Sequence, residues 1–412
     1  MPEPIKTALS LAAALLFLWS AVWCIRRVFS PEPAPHYTEP SSRSRCWAAI
    51  AGAAFILVLH LIFAVTAHIN YPEADFHQAV EWQFYGNTDS RHYLDLSIYG
   101  YGTQEAFPEQ YLQIVFFPLY PALLHILHFV TRIDAFWLGF AVQLPLFAAA
   151  TASFYTVIAR RWDEQTAALS LALLLASPAS VFFAVPMTES LFLLLTVRYV
   201  LTLEREQWWR CASLGCSPVC AVPRRSAFGL TGLYLFMRWR RGTRPTIPSL
   251  LAMLSPAAGL GLYFLLNYLV YGRWNQYHIY QWDNWNQKLG LFTNTVRYHL
   301  DYMAQWWDSS PKSALALCLA AVLCLLTILA LLSATVRRLP AHWLGFGLAY
   351  FVVTMGTTWL VSAPRYAVGL FCLRSLALLL QGRPRLTKGV LVTQVIVSVI
   401  YTMQFLYGWP IY

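Results

Sequence analysis

Apolar runs long enough to cross a bilayer recur along almost the whole of this chain, and they leave it few choices of fold. One run of roughly 18 or more apolar residues is enough to suggest a spanning helix. Composition agrees: 58% of the residues are hydrophobic and 12% charged, which no ordinary soluble domain matches. Many of the 17 Trp and 23 Tyr stand at the edges of the runs, where amphipathic rings settle at headgroup level. The formal charge of +10 comes from arginines clustered between apolar runs. That pattern belongs to cytoplasmic loops and not to a nucleic-acid face. The expected fold is an all-α integral membrane protein, a polytopic helical bundle of about ten spans with a large external first loop.

Taken in order, residues 1–46 read as an N-terminal anchor helix (8–25) and a Pro- and Ser-rich linker. Arg26, Arg27, Arg43 and Arg45 place that linker in the cytoplasm. Residues 47–412 read as the polytopic domain, its first span at 47–68. The loop from Ile69 to Leu112 carries seven acidic residues against the single Arg91, as an external loop would. Further spans are expected at 136–158, 166–184, 188–203, 248–271, 313–333, 341–361, 366–380 and 389–407. Pro118 and Pro121 interrupt the run at 113–130, so Phe116–Val130 is expected to be a re-entrant or interfacial helix. Ser226–Met237 is too short to cross, and is expected only to dip into the bilayer.

Chemistry concentrates between Thr88 and Pro121, which holds Asp89, Arg91, His92, Asp95, Glu105 and Glu109. So dense a polar stretch in so apolar a chain needs a reason. Sugar transfer from a phosphate needs a carboxylate to orient or deprotonate an acceptor hydroxyl, and cations to stabilise the phosphate. Asp89 with Arg91 and His92 offers both kinds of group, although Asp89 is equally a good N-cap for a helix starting at Ser90. Glu189, at an external helix start, reads as a site acid or as a partner for the helix dipole. Arg365 stands on the external side against the positive-inside bias; it reads as a phosphate ligand or as a snorkelling residue.

Other groups are less pointed. His278, Asp283 and His299 lie in an external loop with Trp274, Trp282, Trp285, Trp306 and Trp307, which reads as a sugar-stacking cover or an interfacial aromatic belt. His125 and His128 share a helix face without a third ligand nearby, and Cys211, Cys216 and Cys220 have no partner pair for a zinc spacing. No metal is expected from these groups, and whether a divalent ion assists the donor stays open. No G-x-G-x-x-G or P-loop pattern holds a nucleotide, so a sugar donor at the external loop should be lipid-linked.

TDSRHYLDLSIYGYG, followed by FFPLYPALL, resembles the first-loop signature of the GPI mannosyltransferase II (PIG-V) family and its bacterial relatives. SPASVFFAVPMTESLFLLL resembles that family's second motif, and SAPRYAVGLF its late Arg-Tyr motif. The matches run in family order over about residues 50–380. The resemblance implies a glycosyltransferase C-type membrane fold and inverting transfer of mannose outside the cytoplasm. It implies a polyprenyl- or dolichyl-phosphate mannose donor, a glycan or glycolipid acceptor, and no other cofactor. By motif position Asp89 corresponds to the loop aspartate, Glu189 to the second-motif acid and Arg365, with Tyr366, to the late motif; Arg91 and His92 flank the first. Where the family has Trp before the loop aspartate, this chain has Thr88. CASLGCSPVCAVPRRSAFGL and Arg374 depart from the family pattern as well. The implied place is the cell membrane of a bacterium or the endoplasmic reticulum of a eukaryote. The competing readings are a transporter or flippase of lipid-linked sugars, and a non-catalytic subunit of a membrane assembly.

Overall fold

The structure of the chain is a computed structural model that describes residues 2–30, 37–85, 88–101, 113–217, 221–360, 362–370 and 376–411, with the backbone alone for 221–225. Every regular element in it is helical. The protein is an all-α, multi-pass integral membrane protein: six helices among the described residues are long and apolar enough to cross a bilayer, and a bent pair makes up to seven.

The first two spans are α1 (Glu3–Phe29) and α2 (Ser42–Asn70). α2 is launched by Ser41, whose hydroxyl accepts from the Ser44 N–H at 3.0 Å. Two short helices, α3 (Phe76–Tyr85) and α4 (Ser90–Tyr99), follow in the polar loop. α5 (Leu119–Thr131) has 13 residues, less than a bilayer crossing needs. It starts later than the expected Phe116 because Pro118 sets its N-cap and Pro121 sits in its first turn, where no backbone donor is required. The third span combines α6 (Ala135–Ala141) with α7 (Gln143–Arg161).

Two expected spans, 166–184 and 341–361, do not form as single long helices. Over 166–184 the chain turns by 82° between α8 (Glu164–Leu175) and a 3-10 helix, Pro178–Ala184. Pro178 forbids α geometry at Ser177, which is extended at φ −66°, ψ 139°. Residues 188–203 form α9 (Glu189–Glu204), 16 residues long and largely buried in the bundle. α10 (Trp208–Cys216) then leads to α11 (Ala221–Arg240). α11 has 20 residues, longer than the expected dip, though it ends in Arg238 and Arg240.

α12 (Ile247–Tyr271) is the fourth long span and packs tightly on α10: a Cβ on Gly259 would stand 2.8 Å from the Cys216 carbonyl oxygen. α13 (Gln276–Trp285) and α14 (Thr293–Trp306) fill the aromatic loop. α15 (Pro311–Ser313) passes through a π turn into α16 (Ala320–Thr335) to make the fifth span. The expected span at 341–361 shortens to α17 (Ala341–Tyr350) and a π turn ending at Met355, before Gly356. Of the expected span at 366–380, residues 371–375 lie outside the described residues; on either side stand α18 (Ala363–Val368) and α19 (Leu376–Leu380). α20 (Pro384–Leu406) is the sixth long span.

The core gathers around α7, which packs on α2, α8 and α9. Trp343, Tyr120, Tyr263, Phe147 and Phe154 are fully buried there and in the adjoining layers. α1 packs along α14, α16 and α17, with Arg27 donating to the Val336 and Leu339 carbonyls.

Candidate active site

Three distant pieces of chain meet at the N-terminal end of α9, the end that the arginine pattern puts outside. Asp89 precedes α4, Glu189 opens α9, and Arg365 lies in α18. Arg365 Nη1 donates to Asp89 Oδ2 at 2.6 Å, and its Nε stands 3.3 Å from Glu189 Oε1. The side chains are 10% exposed for Arg365, 11% for Glu189 and 27% for Asp89. The cluster is therefore closed on the Glu189 side and open at Asp89.

Local chemistry explains why each group is where it is. Thr88 takes the capping work at the start of α4: its hydroxyl accepts from the Ser90 N–H at 3.1 Å and donates to the Phe84 carbonyl at 2.9 Å. Asp89 occupies the N-cap position but its side chain makes no cap hydrogen bond. Its carboxylate is left to Arg365. Beside α9, Ser190 Oγ donates to the Phe183 carbonyl at 2.7 Å, and Gln143 Nε2 donates to the Met187 carbonyl at 3.0 Å. Those bonds hold the Pro186–Thr188 turn and hence Glu189. Tyr350 donates its hydroxyl to the Tyr366 carbonyl at 2.8 Å, anchoring α18, and the Arg365 guanidinium lies 5.5 Å from the Tyr366 ring.

Two carboxylates share one guanidinium. The 3.3 Å approach of Nε to Glu189 lacks hydrogen-bond alignment, so Nε and Glu189 Oε2 are buried without a hydrogen-bond partner among the described residues. Unsatisfied buried polar atoms are rare and costly, and they call for an explanation in terms of use. A guanidinium presents five N–H donors in a planar fork suited to phosphate. Asp89, the exposed member, is the one a hydroxyl can reach.

The other sequence candidates are placed elsewhere. Arg91 is more than half exposed and lies 3.6 Å from Asp95, and burial pushes the Asp95 carboxyl up against the downward pull of Arg91 and His92. His92 stacks on Phe116 at 4.8 Å. His125 Nδ1 lies 2.8 Å from the Ser97 carbonyl and His128 Nδ1 2.7 Å from that of Ile133, so both rings are engaged by backbone. Cys211 is buried in the bundle, and among the described residues no three His, Cys, Asp or Glu groups converge. Glu105, Glu109, Cys220, Cys372 and Arg374 lie outside the described residues.

Sequence reasoning missed a second buried cluster, at the C-terminal end of α9. There Glu204 is fully enclosed: Trp343 Nε1 donates to its Oε1 at 2.9 Å, His342 Nε2 lies 3.1 Å from that oxygen, and Arg161 Nη1 pairs with it ionically at 3.7 Å. The linker closes over it: Arg161 donates to the Tyr37 hydroxyl at 3.3 Å, and Glu39 lies 2.6 Å from both Arg160 and Arg205. The available signal was Glu204 ending an apolar helix that returns to an arginine-rich side. Comparisons of the chain with protein-family models, curated proteins and solved structures return no match.

Proposed function

We propose that this chain is an integral-membrane mannosyltransferase, moving the sugar of a polyprenyl- or dolichyl-phosphate donor to a glycan or glycolipid acceptor on the non-cytoplasmic side. The observation that carries the reading is the meeting of Asp89 and Glu189 on Arg365. In this reading Asp89 orients the acceptor hydroxyl and takes its proton as the hydroxyl oxygen attacks the sugar's anomeric carbon. The bond from that carbon to the phosphate oxygen breaks on the opposite face, which inverts the centre. Arg365 stabilises the charge growing on the departing lipid phosphate. Glu189 keeps the guanidinium turned toward the site, and Tyr366 lies along it. Arg91 and His92, in the first turn of α4 beside Asp89, serve the acceptor from the rim.

One observation favours the carrier reading: the 82° helix break at Ser177, since carriers bind substrate at interrupted helices. A single experiment separates the two. Purified protein given radiolabelled polyprenyl-phosphate mannose should yield labelled acceptor and free polyprenyl phosphate. Sealed vesicles that exchange the intact labelled donor across the bilayer, with no transfer, would favour the carrier.

A further inference from the structure

Arg365 reaches its two carboxylates from a short helix, and what fixes that helix lies in the aromatic loop. The segment entering α18, residues 356–360, has no helical bonds of its own. It is instead tied to residues 288–299. Gly290 N donates to the Gly356 carbonyl at 2.7 Å, and Thr358 N to the Lys288 carbonyl at 2.8 Å. Thr295 Oγ1 donates to the Thr357 carbonyl at 2.9 Å. Nearest α18 among the described ties, the Leu360 N–H donates to His299 Nε2 at 3.1 Å.

That last tie differs from the rest. His299 is 2% exposed and Leu360 1%, so neither the ring nitrogen nor the amide has water as an alternative partner. Nε2 accepts only while it carries no proton. Burial pushes the His299 pKa down to about 4, against a smaller upward pull from the Thr358 backbone, so the ring is a neutral acceptor at pH 7. The loop is also held under strain, with Leu291 and Phe292 both at positive φ (44° and 49°). Such conformations persist where surroundings over-determine them.

We propose that His299 is a positioning residue for Arg365: its imidazole holds the Leu360 amide and so fixes the turn from which the guanidinium meets Asp89 and Glu189. The part of this that concerns donor phosphate rests on the function proposed above; the positioning itself does not. A ring acting in this way has a conservative replacement, because the Gln side-chain oxygen reaches the place of Nε2 and accepts the same bond. Leu fills the volume and accepts nothing.

The test compares wild type, His299→Gln and His299→Leu in lipid nanodiscs. Its first readout is amide hydrogen exchange over residues 356–370. Exchange of the Leu360 amide should quicken about 10- to 100-fold in His299→Leu and stay within about threefold of wild type in His299→Gln. The second readout is transfer from short-chain polyprenyl-phosphate mannose. The kcat/KM for the donor should fall about tenfold in His299→Leu, and Gln should restore it. Unchanged exchange in His299→Leu overturns the proposal, as does a folded His299→Gln that behaves like His299→Leu in both readouts. Should neither variant fold, wild type alone decides: a Leu360 amide exchanging as fast as an exposed amide overturns the proposal, and one as slow as the α16 amides upholds it. If wild type transfers no mannose, the function reading fails while the exchange result still decides the role of His299.

Discussion

The two ends of α9 each carry a buried carboxylate, and the surroundings treat them in opposite ways. At one end Glu204 is sealed, its Oε1 collecting Trp343, His342 and Arg161 while its Oε2, like that of Glu189, is buried without a hydrogen-bond partner among the described residues. At the other, about 22 Å away by helical rise, Glu189 and Asp89 divide a single arginine, and Asp89 remains open to solvent. Three groups converging on one enclosed oxygen make a tie between α9, α7 and α17. Two carboxylates on one cation make a site with charge to spare at its open edge. The contrast teaches that burial of an acid says little about its role. The ratio of acids to donors, and access from one side, say more.

This contrast predicts that substitutions at the two ends fail differently. The largest effect is expected from Asp89→Asn. The change keeps shape but loses the base, so turnover should fall about 100- to 10,000-fold in a steady-state transfer assay. Stability should fall less than in the Glu204 variant below, because the Asp89 side chain supports no cap and Glu189 remains beside Arg365 as a counter-charge. Next comes Glu204→Gln, which leaves Arg161 without its buried counter-charge. Breaking a buried pair costs about 3–5 kcal/mol, so the unfolding midpoint should drop markedly while turnover per folded molecule stays within about twofold. Arg365→Ala should weaken donor use by about tenfold or more in a donor titration. Arg365→Lys should recover only part of that loss, since an ammonium cannot offer the bidentate fork. Equal behaviour of Ala, Lys and Arg would leave Arg365 a packing residue. The smallest effect belongs to Arg91→Ala: its exposed pair with Asp95 is worth about 0.2–1 kcal/mol, and transfer should change less than threefold.

Much of the fold was legible because long apolar runs admit one outcome. The runs at 8–25, 47–68, 136–158, 248–271, 313–333 and 389–407 all became long helices. The runs at 166–184 and 341–361 did not, and the reason is local. Pro178 and Gly356 break helical geometry within segments whose hydropathy alone looks continuous. Asp89, Glu189 and Arg365 could be singled out because each is a charge at the edge of apolar sequence, where it needs a partner. That they partner one another could not be read, since the contact joins residues 276 apart in the chain. Thr88 is the clearest case of what a sequence hides. Its hydroxyl relieves Asp89 of capping, a division of labour visible only once the Thr88 and Ser90 geometry is known. Glu204 escaped because its partners, His342 and Trp343, look like ordinary members of an apolar segment; His299 stood out with the aromatic loop, but its bond to the Leu360 amide could not be read.

The most direct test of the contrast is one paired measurement, unfolding midpoint and mannosyl turnover, on Asp89→Asn and Glu204→Gln prepared alongside wild type in the same lipid. The account predicts a crossed pattern: Asp89→Asn losing less stability than Glu204→Gln but slower by about two to four orders of magnitude, and Glu204→Gln clearly less stable but as fast per folded molecule. An Asp89→Asn protein that is folded and still transfers mannose at more than about a tenth of the wild-type rate would contradict it.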